Sequence, residues 1–360
     1  MADTFYLLVI NPGSTSTKAG IYKNNELLFE KTVRHQKQEL SSFGRIVDQK
    51  EFRLQVIENQ LNQNGFRLED MDAYVGRGGI VAPLESGVYN INKRMIFDLV
   101  NTKAGEHASA LGGILAFELG EKYGKPSYVV DPVVVDEILP EARLSGLPEI
   151  SRRCVWHALN QKAVARRCAK DLGKTYNNCS LIVAHMGGGI SVGAHLNGRT
   201  VDVNDGLGGE GPFSPERTGG LPAESLIRLC YSGKYTLSEL VDFVIKNGGM
   251  SAYIGTNDLR VCEERIENGD EQAKLVLTAM AYQVSKEIGA MFVALRGKAD
   301  AIALTGGLAN SKLFTGIIKE YVGSLAPVMI YPGEDELGAL AQGALRVLRG
   351  EEEAKEYAPR

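Results

Sequence analysis

Phe5-Tyr6-Leu7-Leu8-Val9-Ile10-Asn11-Pro12-Gly13-Ser14-Thr15-Ser16-Thr17 is the stretch whose reading decides the fold. Residues 5–10 are an apolar run of strand length, and a Gly- and hydroxyl-rich turn follows. A second strand is expected near 18–23, a break at Asn24-Asn25 and a third strand from Glu26 to Val33, which together make a three-stranded antiparallel meander. The unit returns 174 residues later, counted from Leu7 to Leu181. Leu181-Ile182-Val183-Ala184-His185 leads into Met186-Gly187-Gly188-Gly189, an alternating strand at 190–196, the Asn197-Gly198 hairpin turn and a strand from Arg199 to Val203.

A second pair keeps the same order. Asp72-Ala73-Tyr74-Val75-Gly76-Arg77-Gly78-Gly79 resembles Asp300-Ala301-Ile302-Ala303-Leu304-Thr305-Gly306-Gly307, 228 residues further on. Together the pairs predict a duplicated domain of meander, helix and a strand ending in Gly-Gly, with extra helices inserted in the second copy. Apolar residues at three- and four-residue spacing predict helices over Arg53–Gln63 and Glu271–Leu295. Two related halves facing each other would leave a cleft, a preferred place for small ligands.

Composition bounds the function. With 40 Lys+Arg against 44 Asp+Glu the formal charge is only −4, which is no nucleic-acid-binding signature. The 360 residues suggest two cores at roughly 150 residues per domain. Glycine is in excess, 41 residues where average usage is about 7%, so many backbone positions are expected to need close approach or positive φ. Cys154, Cys168, Cys179, Cys230 and Cys262 are odd in number with no C-x-x-C pair, which fits reduced thiols rather than zinc. No basic leader precedes the first strand and no apolar stretch reaches bilayer length, so the expectation is a soluble, cytoplasmic protein with no membrane partner. The acidic-rich end, Glu351 to Arg360, is expected to be frayed or exposed.

Three turns, 11–17, 186–189 and 305–311, follow buried strands and are rich in glycine or hydroxyls. Closely spaced backbone N–H groups in such turns can converge on phosphate oxygens. None is a Walker A loop or a dinucleotide-binding fingerprint, and any one alone reads most simply as a hairpin. Three in this arrangement favour phosphate. Around them stand Arg77, Asp131, His157, His185, Arg217 and the acidic run Glu334-Asp335-Glu336. A forked guanidinium suits carboxylate or phosphoryl oxygens, although a single loop arginine is more often a solvated charge. His157 opens a helix-like run from Trp156 to Lys170, and a structural histidine is its plainer reading. Asp131, before Pro132, reads equally as a turn former or a functional carboxylate, and the run 334–336 as a helix N-terminus.

The ordered motifs make the chain recognisable. They are Val9 to Lys18, Gly76-Arg77-Gly78-Gly79, Val130-Asp131-Pro132, Arg152-Arg153-Cys154-Val155-Trp156-His157, His185 to Ser191, Ser214-Pro215-Glu216-Arg217-Thr218-Gly219-Gly220, Thr305 to Asn310, and Tyr331 to Leu337. The sequence resembles the acetate and butyrate kinase family, within the larger group of actin-like, sugar-kinase and chaperone ATPases, and its butyrate-type members most. The resemblance implies two duplicated actin-like (ribonuclease H-like) α/β domains with an interdomain cleft, the first from 1–132 with 336–360 returning to it, the second from 133–335.

It also implies reversible transfer of a phosphoryl group from Mg²⁺-bound ATP to a short-chain fatty acid, butyrate or isobutyrate, giving an acyl phosphate and ADP. Asn11, Ser14 and their turn would face phosphates and metal. His185, Gly187, Gly188 and Gly189 would form the other phosphate loop, and Gly306, Gly307 and Asn310 would lie against adenosine. Arg77, His157 and Arg217 would surround the transferred group, with Asp131 near the acyl substrate. Asn11 and either Asp335 or Glu336 would place Mg²⁺. Relative to acetate kinases, Gly78 and Gly79 would leave space for a longer acid, with Trp156 able to reclaim some of it. A homo-oligomer, dimer or larger, is the family habit. The alternatives are acetate or propionate as acceptor, a sugar or glycerol kinase with Asp131 as general base, and a non-catalytic chaperone-like nucleotide switch.

Overall fold

The apolar runs that open each repeat are buried on both faces. In the computed structural model, which describes residues 4–101 and 107–358, Leu7, Leu8, Val9 and Ile10 have no exposed surface, and neither do Leu181, Ile182, Val183 and Ala184. Continuous apolar strands of this kind belong inside a sheet covered on both sides. The chain divides into two compact units, Met1–Val135 with Asp335–Arg360, and Asp136–Glu334.

The first unit holds β1 (Tyr6–Pro12), β2 (Ser16–Lys23), β3 (Glu26–Arg34), β4 (Ala73–Gly76), β5 (Val88–Asn90) and β6 (Ser127–Val130), and its sheet runs from the end strand Lys355–Glu356 through β5, β6, β4, β1 and β2 to β3. β1 and β2 pair antiparallel, as do β2 and β3, whereas β4 lies parallel to β1 and β6 parallel to β4. The second unit holds β7 (Ser180–Met186), β8 (Ile190–Leu196), β9 (Arg199–Val203), β10 (Ala301–Gly306) and β11 (Val328–Pro332), in the order β11-β10-β7-β8-β9. The five-strand order is therefore the same in both units. Even the register repeats: Leu7 pairs with Ala73 and Leu181 with Ala301, which are the two offsets of 174 and 228 residues seen in the sequence.

In the second unit the two sheet faces go to different helices. Ile182, Ala184 and Met186 share a core with Val276, Leu277, Met280, Val284 and Ile288 of helix Glu271–Ala294. Leu181 and Val183 pack with Val164, Ala165, Cys168 and Ala169 of helix Ala158–Asp171. In the first unit Leu8 and Ile10 join Ile114, Leu115 and Leu119 of helix Ala110–Tyr123, while helix Glu336–Leu348 lies against β1, β4 and β6. Gly76 is required there, because a Cβ would fall 2.0 Å from the Gly112 carbonyl oxygen.

The acidic end, described as far as Ala358, is partly exposed as expected, with Glu351, Glu353 and Glu356 at the surface, but it is tied down. Lys355–Glu356 adds a parallel strand beside β5, and Tyr357 is buried with its hydroxyl accepting from Ala82 N at 3.0 Å and donating to Asp98 Oδ2 at 2.7 Å. One aromatic anchor outweighs the surrounding charges. All five cysteines are free thiols, and among the described residues no helix is long and apolar enough to cross a membrane.

Candidate functional site

In the first unit the parallel strands β1 and β4 end side by side, with Arg77 N donating to Ile10 O at 2.9 Å. This brings Asn11 and Arg77 together with Glu336, the first residue of helix Glu336–Leu348. Asn11 Nδ2 donates to Glu336 Oε2 at 2.5 Å, Arg77 Nη1 reaches Asn11 Oδ1 at 3.5 Å, and Arg77 forms an ion pair with Glu336 Oε1. Asp335 stands apart from this group. Its Oδ1 accepts from Gly338 N at 2.9 Å as the helix cap, and a Cβ at Gly338 would collide with that carboxylate.

The turn after β1 is held from behind by Arg53, a residue with no exposed surface. Its guanidinium donates to Gly13 O at 2.9 Å, Ser16 O at 2.7 Å, Thr17 Oγ1 at 3.1 Å and Ser14 O at 3.3 Å, and bonds Gln49 Oε1 through Nε and Nη2. Burial pushes its pKa down. Thr17 Oγ1 also meets His35 Nε2 at 2.8 Å, and Ser14 itself is exposed at the turn's tip. Sequence reading placed Arg53 only on an amphipathic helix. An arginine on the apolar face of that pattern, beside Ile57 and Leu61, was the available signal.

Asp131 sits at φ +38°, in the left-handed region that favours glycine, Asn and Asp. Its Oδ1 accepts from Gly87 N at 2.7 Å while its own N–H donates to Gly87 O at 3.0 Å, so the turn-forming half of its reading is what the backbone displays. Gly78 and Gly79 do not leave open space. A Cβ at Gly78 would fall 2.6 Å from Val129 and 2.8 Å from Pro132, and one at Gly79 would fall 2.8 Å from Ala110. These glycines permit close packing, so the expectation of a roomier acid pocket built on them is withdrawn.

In the second unit His157, His185, Gly189 and Arg217 come together. The rings of His157 and His185 stack with centroids 3.8 Å apart and planes 13° from parallel. His185 Nδ1 meets Asn160 Oδ1 at 2.8 Å and its Nε2 lies 3.3 Å from Glu334 Oε1. Arg217 Nη1 donates to Gly206 O at 2.5 Å, and a Cβ at Gly206 would touch His157 Cε1 at 3.6 Å. Gly189 makes room for the guanidinium, because its Cβ would fall on Arg217 Nη1 and displace that side chain.

Burial lowers the Arg217 pKa, against the raising influence of Glu216 and Asp205, and its buried Nε has no hydrogen-bond partner. Buried donors are rarely left so. Ser214, which sequence reading had only as part of a motif, ties this loop to the glycine turn: its Oγ donates to Gly188 O at 2.5 Å and accepts from Arg217 N at 3.1 Å. Trp156 is buried in this unit, its ring edge-on to His195.

Gly187, Gly188, Gly307 and Asn310 line one cavity of about 700 Å³, together with Glu334 and the segment 257–260. Gly306, at φ +90°, could carry no Cβ because Met186 O lies 2.4 Å from that position, whereas Gly307 borders open space. Asn257 Nδ2 donates to Glu216 Oε1 at 2.6 Å, and Asp258, held down to about 2 mainly by Arg260, caps helix Leu259–Glu267. The 257–260 wall was missed in the sequence, where Asn257-Asp258 before a helical run offered only a capping signal.

The acidic run 334–336 therefore splits into three tasks, with Glu334 beside His185, Asp335 capping and Glu336 beside Asn11 and Arg77. Among the described residues no three His, Cys, Asp or Glu side chains gather as a metal cage. Asn11 Oδ1 and the Glu336 carboxylate are the hard oxygen donors that suit Mg²⁺ carried in on phosphates, which takes only one or two protein oxygens.

Residues 146–324, 179 of the 360, match the model of the Acetokinase family. The structure is similar to the acetate kinase of Porphyromonas gingivalis, with a TM-score of 0.78 and 20% identity over 95% of this chain and 99% of that one. A propionate kinase from Francisella tularensis subsp. tularensis SCHU S4 matches with a TM-score of 0.76 and 18% identity over 94% and 98%, and the Entamoeba histolytica acetate kinase with 0.75 and 16% over 94% and 98%. The chain has the actin-like ATPase fold of these kinases, and its 146–324 segment carries the acetokinase-family pattern.

Proposed function

We propose that the protein is a carboxylate kinase, transferring the γ-phosphoryl group of Mg²⁺–ATP reversibly to a short-chain fatty acid, butyrate or isobutyrate, to give an acyl phosphate and ADP. The observation that carries it is Arg217: a guanidinium loaded into a partly buried site beside two stacked imidazoles and a glycine turn, with one buried N–H unsatisfied. A guanidinium beside a glycine turn and two imidazoles suits a phosphoryl or carboxylate oxygen.

A carboxylic acid with pKa near 4–5 is ionised at pH 7, so the acceptor needs no general base. The obstacle is repulsion between an anion and a polyphosphate, which fixed cationic donors overcome. Arg217, His157 and Arg77 are proposed to act on the phosphoryl group and Asn11, Ser14, His185 and Gly187–Gly189 on the nucleotide phosphates. Adenosine is assigned to the cavity bordered by Gly307 and Asn310, with Gly306 shaping it, and Mg²⁺ to Asn11 and Glu336, where its charge would neutralise phosphate oxygens. Asp131, whose carboxylate bonds Gly87 N, is proposed to shape the acyl end rather than to take a proton, which counts against a sugar-kinase reading.

The acid's length rests on the motif resemblance alone. Hydroxamate trapping with ATP and Mg²⁺ across acetate, propionate, butyrate and isobutyrate tests both levels. The four-carbon acids should show the highest kcat/KM. Acetate or propionate at the top would replace the acceptor, and phosphorylation of no acid would end the kinase reading.

A further inference from the structure

Behind the His157–His185 stack runs a line of buried polar groups that the proposed chemistry does not use. His157 Nδ1 meets Ser191 Oγ at 2.8 Å, Ser191 meets the Gln161 side-chain amide, Gln161 Oε1 meets His195 Nε2 at 3.0 Å, and His195 Nδ1 meets the Tyr176 hydroxyl at 2.8 Å. Ser191, Gln161 and His195 have no exposed surface. Gly193 on β8 makes the room, since a Cβ there would fall 2.6 Å from Gln161 Oε1.

Hydrogen-bond satisfaction gives this line a direction. Gln161 Nε2 lies 2.9 Å from the Ser191 backbone carbonyl, which only accepts, so the amide nitrogen faces Ser191 and the amide oxygen faces His195. An amide oxygen opposite His195 Nε2 requires the proton on Nε2. Burial, with Lys162 and Arg166 adding to it and Glu137 opposing, drives the His195 pKa well below its ordinary value, so the ring is neutral and Nδ1 accepts from Tyr176, with Thr200 Oγ1 3.4 Å away. At the other end Ser191 Oγ already accepts from Gln161 Nε2 at 2.8 Å and faces the backbone N–H of His157 at 3.4 Å. Both lone pairs are taken, and the hydroxyl proton is left for His157 Nδ1.

We infer that the chain Tyr176→His195→Gln161→Ser191→His157 holds the His157 imidazole as the Nε2–H tautomer, with Ser191 and Gln161 as positioning residues that present an N–H donor to the reacting group. On the carboxylate-kinase reading that donor meets an oxygen of the phosphoryl group in transit; the tautomer itself does not depend on that reading. The arrangement keeps His157 a donor without a positive charge, flat against a second imidazole.

Histidine-labelled full-length protein without ligand, examined by long-range ¹H–¹⁵N correlation at pH 8 with His157→Gln to assign the ring, reads the tautomer directly. The expected spectrum shows His157 wholly protonated on Nε2. A ring protonated on Nδ1, or a mixture, overturns the inference. In Ser191→Ala the ring should relax to a mixture and kcat should fall about tenfold with little change in the KM for ATP, the scale of one lost hydrogen bond. A ring that stays wholly Nε2–H in a folded Ser191→Ala protein also overturns it. If no carboxylic acid is phosphorylated by the unaltered protein, the proposed function fails while the tautomer result stands.

Discussion

The imidazole of His157 lies flat on that of His185, 3.8 Å between centroids, and the two are anchored by different partners, His157 by Ser191 and His185 by Asn160 and Glu334. Each ring keeps its own support if the other is removed. His157→Ala should therefore leave the nucleotide side in place and cost mainly transition-state stabilisation, lowering kcat about 10²-fold or more while the KM for ATP changes little. Steady-state kinetics with hydroxamate detection decide it, and an unchanged kcat would take His157 out of the chemistry.

Arg217 presents the opposite balance of stability and function. Its guanidinium is desolvated, its Nε has no partner, and its Nη1 bonds a backbone carbonyl rather than a carboxylate. A partly buried charge with no carboxylate partner contributes little to folding. On the proposed role, Arg217→Met should melt at the same temperature as the parent or higher, while kcat falls about 10³-fold or more, by analogy with the arginine fingers of other phosphoryl-transfer enzymes. Arg217→Lys should not rescue, because an ammonium cannot reproduce the fork. A large fall in melting temperature for Arg217→Met would make the residue structural instead.

Much of this was legible in the sequence, for a physical reason: strands covered on both faces must be apolar throughout, and the duplicated register left Leu7 with Ala73 and Leu181 with Ala301 at constant offsets. Turn residues such as Asn11 and Gly189 announced themselves because they stand in polar and glycine-rich turns at the ends of apolar strands. What stayed hidden is carried by single side chains in company only the fold supplies. Arg53 looks like any helix arginine until the turn 13–17 closes over it, and Tyr357 looks like part of a charged tail until Ala82 and Asp98 meet its hydroxyl. Gly78 and Gly79 misled for the same reason: an absent side chain signals either open space or a close neighbour, and here Val129, Pro132 and Ala110 are the neighbours.

Arg53 gives a further prediction. It satisfies three backbone carbonyls and a hydroxyl of the turn that follows β1, and Arg53→Met would strand Gly13 O and Ser14 O, while Ser16 O keeps Gly13 N and Thr17 Oγ1 keeps His35. At about 1–3 kcal/mol for each buried group stranded, with water reaching some of them, a loss of about 3 kcal/mol or more is expected in urea denaturation. The KM for ATP should rise as well, because the turn would no longer be fixed. A variant with full stability and an unaltered KM would deny Arg53 its supporting role.

Two buried imidazoles make stability depend on pH near neutrality. His35 is lowered from 6.5 first by burial and then by the nearby Arg53 charge, and His195 is lowered further by full burial with Lys162 beside it. Both stay neutral in the folded chain at pH values where the unfolded chain has already taken up their protons. The unfolded state therefore binds more protons below about pH 6.5, and stability rises with pH through that window. Their contribution is complete above 6.5 and is lost as pH falls toward each folded value, with a slope of up to about 1.4 kcal/mol per pH unit for each histidine. Guanidinium denaturation at pH 8, 7, 6 and 5.5 should show a plateau and then a decline, and His35→Gln should remove part of the decline. A flat profile down to pH 5.5 would mean that these rings are protonated in place, which the donors facing them, Tyr176 at His195 Nδ1 and the Arg53 guanidinium near His35, oppose.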